Sequence, residues 1–96
     1  MNTKPDVIEK PLIQLDTDDD GHFNAKVILF NDNEHDFDEV IDQLILAINC
    51  SEEKAYLLTM QVHKSGHAVV FTSNYNQCLN VSAVLEEIHL KTNIEI

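Results

Sequence analysis

Residues 26–32 read Lys26-Val27-Ile28-Leu29-Phe30-Asn31-Asp32. The apolar residues from Val27 to Phe30 follow one another without a polar break and are rich in β-branched and aromatic types. That pattern suits a short strand buried on both faces, and Asn31-Asp32-Asn33 carries the turn chemistry that ends it. A folded domain beginning at this strand is the starting expectation.

Upstream the pattern is absent. Residues 1–25 hold Pro5, Pro11, the acidic tract Asp16-Thr17-Asp18-Asp19-Asp20 and one short apolar patch, Leu12-Ile13-Gln14-Leu15, with no sustained period. Such composition cannot bury enough apolar surface to offset chain entropy, so residues 1–25 are expected to form a flexible acidic arm and residues 26–96 the domain.

Downstream, helical signals begin at once. Asp36 offers an N-cap and Glu39, three residues on, completes a capping box, while Phe37, Val40, Ile41, Leu44, Ile45 and Ile48 recur at helical spacing. A first helix is predicted over about 37–49. Ser51 caps a second, with Glu52 and Glu53 near its positive end, Ala55, Leu58, Thr59 and Val62 on one face, and Gly66 placed to end it in a left-handed turn. His67-Ala68-Val69-Val70-Phe71-Thr72-Ser73 has strand composition. A third helix is predicted from about Asn76 to Leu90, with Val81, Val84, Leu85 and Ile88 inward, and Thr92 to Ile96 as a short edge strand. The order β-α-α-β-α-β implies an α/β (α+β) two-layer sandwich, with three helices covering one face of a three-stranded sheet.

The whole-chain properties narrow the function. A chain of 96 residues makes one domain, burying only about 60–65% of its unfolded surface. No apolar run approaches the roughly 20 residues of a membrane span, and the N-terminus reads as neither a secretory signal nor a lipidation site, so a soluble, cytoplasmic protein is the expectation. Seventeen acidic residues against six basic give a net charge of −11, which repels phosphate backbones and anionic membranes. Nucleic acid and membrane are excluded as partners on that ground. Cys50 and Cys78 are too far apart for a Cys-x-x-Cys motif and read as reduced thiols.

Two metal readings arise. Asp16, Asp18, Asp20 and Gly21 match the opening of a calcium loop, but the twelfth position, where a bidentate Glu belongs, is Val27. His35, His63 and His67 with Asp32 or Glu34 offer ligand types that suit zinc, without a recognisable spacing. No metal site or cofactor is therefore predicted. No His-Glu-x-x-His helix, Gly-x-Ser-x-Gly elbow or Gly-rich phosphate loop occurs, and the expectation is that the chain is not an enzyme.

Three blocks remain: Lys26 to Asp32, then Phe37 to Val40, then Val62-His63-Lys64-Ser65-Gly66-His67-Ala68. Together they resemble the signature blocks of the ClpS family, adaptors of ATP-dependent Clp proteases. The likeness is strongest over residues 26–72, weakens beyond residue 73, and fits the members with a short C-terminus. It implies that Asn31, Asp32 and His63 hold the free α-amino group of a peptide. Phe37, Val40, Thr59 and Val62 would wall an apolar pocket for the first side chain (Leu, Phe, Tyr or Trp), closed by Ile94, with His35 at its gate. The implied partners are proteins bearing such destabilising N-terminal residues and the N-terminal domain of a Clp-type unfoldase, ClpA or ClpC. A monomer is the separate expectation for its oligomeric state.

The implied chemistry is sound on its own terms. A protonated α-amine has three donors and no acceptor, so its recognition requires converging acceptors, which an Asn carbonyl, an Asp carboxylate and a neutral imidazole supply. The chain departs from the family where Asn33-Glu34-His35-Asp36-Phe37 stands in place of Asp-Tyr-Thr-Pro-Met, where Thr59 replaces a larger apolar residue, and around Asn80, where several relatives carry a lysine. Two rival readings follow, a calcium- or metal-binding module and a degenerate ClpS-like interaction domain without N-degron binding.

Overall fold

The structure is a computed structural model describing residues 24–96. The acidic arm and its calcium-like loop lie outside the described residues, apart from the arm's last two positions. The order of elements is β1 (Ala25–Phe30), α1 (Phe37–Ile48), α2 (Glu52–Ser65), β2 (His67–Ser73), α3 (Tyr75–Glu86) and β3 (Thr92–Glu95). The sheet is antiparallel in the order β2-β1-β3, and the predicted β-α-α-β-α-β sandwich is the observed fold.

The strand β1 starts at Ala25, one residue earlier than expected, because Ala25 is buried and pairs with Ser73. Val27 and Leu29 point into the core with no exposed surface, as a central strand requires. Ile28, opposite Val69 and Asn93, is also buried but outside the main core cluster, whereas Lys26 is exposed between Thr72 and Glu95. The register shifts between Val27 and Ile28, where Val70 on β2 is the extra residue of a bulge.

Local signals account for the helix ends. Asp36 accepts from the Glu39 N–H at 2.9 Å while its own N–H donates to the Glu39 side chain at 3.0 Å, the reciprocal capping box. Asn49 closes α1 in a left-handed conformation, its N–H donating to the Ile45 carbonyl. Ser51 caps α2 through the Lys54 N–H, and Gly66 ends it at φ +88°. A β-carbon at Gly66 would meet nothing within 4 Å, so backbone conformation rather than space selects glycine there.

The third helix is shorter than predicted. It ends at Glu86, followed by a tight turn in which Glu87 and His89 donate to the carbonyls of Val84 and Glu86. His89 takes φ +67°, and no glycine marks the reversal in the sequence. The turn is tied to β3 by a polar cluster: Ser82 and Thr92 hydroxyls lie 2.6 Å apart, and Thr92 donates to Glu86. Leu90, expected as the last helical residue, instead turns into the core.

The core is built from Val27, Leu29, Leu44, Ala55, Cys78 and Leu85, with Val40, Ile41, Val62, Val70 and Val81 around them. Burial pushes the Cys78 thiol above its ordinary pKa, consistent with an inert, neutral side chain. α1 packs against α2 and α3, which lie on the sheet, so the C-terminal ends of β1 and α2 and the start of α1 meet at one end of the domain.

Candidate functional site

That meeting point is a cleft of about 160 Å³. Its position follows from backbone hydrogen bonds. The Asn31 N–H donates to the Gly66 carbonyl at 2.9 Å, fastening the end of β1 to the C-cap of α2, and the Phe30 N–H donates to the Lys91 carbonyl at 3.0 Å. The capping box of α1 fixes the neighbouring edge, where Phe37 opens the helix and Val40 follows one turn later.

Asn31, Asp32, His35, Phe37, Val40, Thr59, Val62 and His63, all predicted from the sequence, line this cleft. Phe37 meets the His63 ring edge-on, with centroids 5.3 Å apart, which joins the apolar wall to the polar end. The Thr59 hydroxyl donates to the Ala55 carbonyl of its own helix at 2.8 Å, so its donor is not left unpaired in that wall. Ile94, expected to close the pocket, does not line it. Ile94 sits on β3 opposite Val27 and packs against the core, because β3 pairs with β1 along the sheet edge and holds it away from the cleft. Leu90 takes the wall position that Ile94 was expected to fill, together with Leu29, Phe30 and Asp36.

The loop between β1 and α1 is folded around Asp32. One carboxylate oxygen accepts the N–H groups of Glu34 and His35 at 3.0 and 3.1 Å, and the other lies 2.8 Å from His35 Nδ1. The opposite ring nitrogen, His35 Nε2, lies 2.5 Å from the Ile88 carbonyl, so the loop is tied to the segment that follows α3. Desolvation, the largest influence on Asp32, pushes its carboxyl up, but the Glu34 N–H, the His35 ring and the His35 N–H outweigh it and hold the group below its ordinary value. The Asp32 carboxylate, followed by the Ile88 carbonyl, raises the His35 pKa above its ordinary value against a smaller effect of burial.

The histidine group that offers zinc ligands in the sequence is not assembled. Among the described residues no three His, Cys, Asp or Glu side chains come together as a metal would require. His67 lies away from the cleft on β2, its ring 6.1 Å from that of Phe30. No helix of the described residues is long and apolar enough to cross a membrane.

Among curated proteins none matches this chain. Among solved structures it is similar to that of Agrobacterium tumefaciens ClpS2 bound to L-phenylalaninamide, with a TM-score of 0.70 and 22% identity over 74% of this chain and 93% of that one. At that identity the likeness speaks for the fold. The family model for the ATP-dependent Clp protease adaptor protein ClpS matches residues 22–93. That match spans most of the chain, from just before β1 into β3, and the chain therefore belongs to the ClpS family of Clp protease adaptors.

Proposed function

We propose that this adaptor captures proteins by a free, destabilising N-terminal residue (Leu, Phe, Tyr or Trp) and hands them to a Clp unfoldase of the ClpA or ClpC type. The observation that carries this reading is the convergence of Asn31, Asp32 and His63 with Phe37, Val40, Thr59 and Val62 on one cleft. The polar group supplies acceptors for an ammonium, and the apolar group suits the side chain carried on the adjacent carbon. L-phenylalaninamide, the molecule bound in the Agrobacterium ClpS2 structure, has that combination of free amine and apolar side chain.

The energetics fit a carrier. Burying an apolar first side chain contributes roughly 1.5–3 kcal/mol. Charge-assisted hydrogen bonds add about 1.5–3 kcal/mol each, and association costs offset much of the total, leaving affinity near the micromolar range. Reversible binding of that strength allows transfer. No step in capture or transfer requires covalent chemistry, so the adaptor is read as non-catalytic.

Delivery is tested by degradation of a reporter that begins with Phe, using a reconstituted Clp unfoldase and its peptidase with and without this chain. Acceleration that disappears for the His63→Ala variant is the expected result. Binding without acceleration would favour a sequestering role instead, a reading favoured by α3, which carries no Lys or Arg and exposes Asn80. Absence of both binding and acceleration would overturn the proposal.

A further inference from the structure

The His35 ring stands between two acceptors. Nδ1 faces the Asp32 carboxylate and Nε2 faces the Ile88 carbonyl, 53 residues away in sequence. A neutral imidazole has one N–H and one lone pair, and whichever tautomer formed, its lone pair would face an oxygen. Only the imidazolium donates to both. The same geometry takes up most of Asp32: three of the roughly four lone-pair sites of a carboxylate are occupied by the Glu34 N–H, the His35 N–H and the His35 ring.

We propose that His35 is a positioning residue which, as an imidazolium, latches the loop at residues 31–36 onto the segment after α3 and so keeps the amine-binding end of the cleft assembled. This rests on the reading of the cleft as a site for peptide N-termini. The latch holds Asp32 in place and leaves its remaining lone-pair site, beside Asn31 and His63, to meet an incoming ammonium. Losing the proton breaks one of the two bonds, so either the tie to Ile88 or the ring's hold on Asp32 is lost.

The surrounding charges favour the cation. Asp32, Glu34 and Asp36 share its loop, Glu39 attracts it from α1, and Glu87 stands beside Ile88. His63, from α2, lines the same cleft, and the titratable or basic residues His89 and Lys91 follow Ile88 in the chain. The ring's hydrogen-bond partners are Asp32 and the Ile88 carbonyl. The upward direction of the His35 pKa agrees with this count.

The test has an arm that needs no peptide. In the unliganded full chain, nitrogen-detected NMR of the imidazole rings near neutral pH should show His35 carrying a proton on both nitrogens. Protection of the Glu34 and His35 amides from hydrogen exchange should fall as the ring titrates on the alkaline side. A neutral, single-tautomer His35, or amides indifferent to its titration, would overturn the proposal. The second arm compares the affinity of a Phe-initiated peptide for wild type and for His35→Gln across the same pH range. Both proteins share the titration of the peptide amine, so that effect cancels. Wild type should lose an additional two- to ten-fold in affinity, roughly the worth of one hydrogen bond, and parallel curves would count against the latch. If no variant binds any peptide, the functional reading fails, while the NMR arm still decides whether the latch exists.

Discussion

Asn31 and Gly66 are joined by a 2.9 Å hydrogen bond from the amide of one to the carbonyl of the other. The bond links Asn31, the residue that follows β1, to the helix cap three residues beyond His63, so Asn31 and His63, 32 positions apart in sequence, reach the same cleft. Gly66 is therefore both the end of α2 and an anchor of the site.

Replacing Gly66 with alanine should cost about 1–2 kcal/mol, the penalty of a β-carbon in the left-handed region, with no steric contribution. For a domain of this size that lowers Tm by roughly 4–16 °C. Thermal unfolding of Gly66→Ala against Gly66→Asn checks it, because asparagine tolerates the conformation and should lose less. Equal stability of all three proteins would show that the left-handed cap is not needed.

Core and surface leucines should separate cleanly. Leu85 is fully buried, and Leu85→Ala should destabilise the fold by about 2–5 kcal/mol through lost transfer energy and a residual cavity. Leu46, 69% exposed on α1, should change stability by no more than about 0.5 kcal/mol on the same substitution. Urea titrations measure both, and a large effect at Leu46 would mean that this face is covered in solution.

The Asp32–His35 pair makes stability depend on pH in a definite direction. The folded-state pKa of His35 is raised above 6.5, so its contribution is complete below that value and is lost as pH rises through the folded-state pKa. Asp32 is lowered below 3.8, so its contribution is complete above that value and is lost as pH falls through its folded-state pKa. The stability difference between wild type and His35→Gln should thus be largest from about pH 4 to about pH 6.5 and shrink toward alkaline pH. A difference that grows with pH would contradict the assignment.

His63 serves the amine-binding end of the cleft as an acceptor. A neutral imidazole accepts a hydrogen bond from the ammonium, and an amide side chain can supply an acceptor in its place, so His63→Gln should keep more peptide affinity than His63→Ala. Peptide titrations of both variants against wild type check it. Equal affinity in wild type and His63→Ala would remove His63 from the amine-binding set.

Much of this fold can be read locally. The Val27 to Phe30 run, the Asp36/Glu39 capping box, the Ser51 cap and Gly66 each act within a few residues, and each element they mark is present. The end of α3 is not legible in the same way, because its left-handed residue is His89 rather than glycine and the turn is held by Glu86, Ser82 and Thr92 acting across the chain reversal. The exchange of Leu90 for Ile94 in the cleft wall follows from that same turn. The Val70 bulge has no sequence marker either, since an extra valine in a strand looks like any other valine. For the site, residue types and family resemblance identify most of the lining, but the bond from His35 to the Ile88 carbonyl spans 53 positions and depends on where α3 stops. No local pattern encodes it.

The most direct test of the central claim is fluorescence anisotropy of labelled peptides beginning with Leu, Phe or Tyr, each paired with its N-acetylated twin, against wild type and His63→Ala. Acetylation removes the ammonium and leaves the apolar side chain unchanged. The account predicts micromolar binding of the free peptides that is abolished by acetylation and by the mutation. Equal binding of free and acetylated peptides, or none at all, would contradict it.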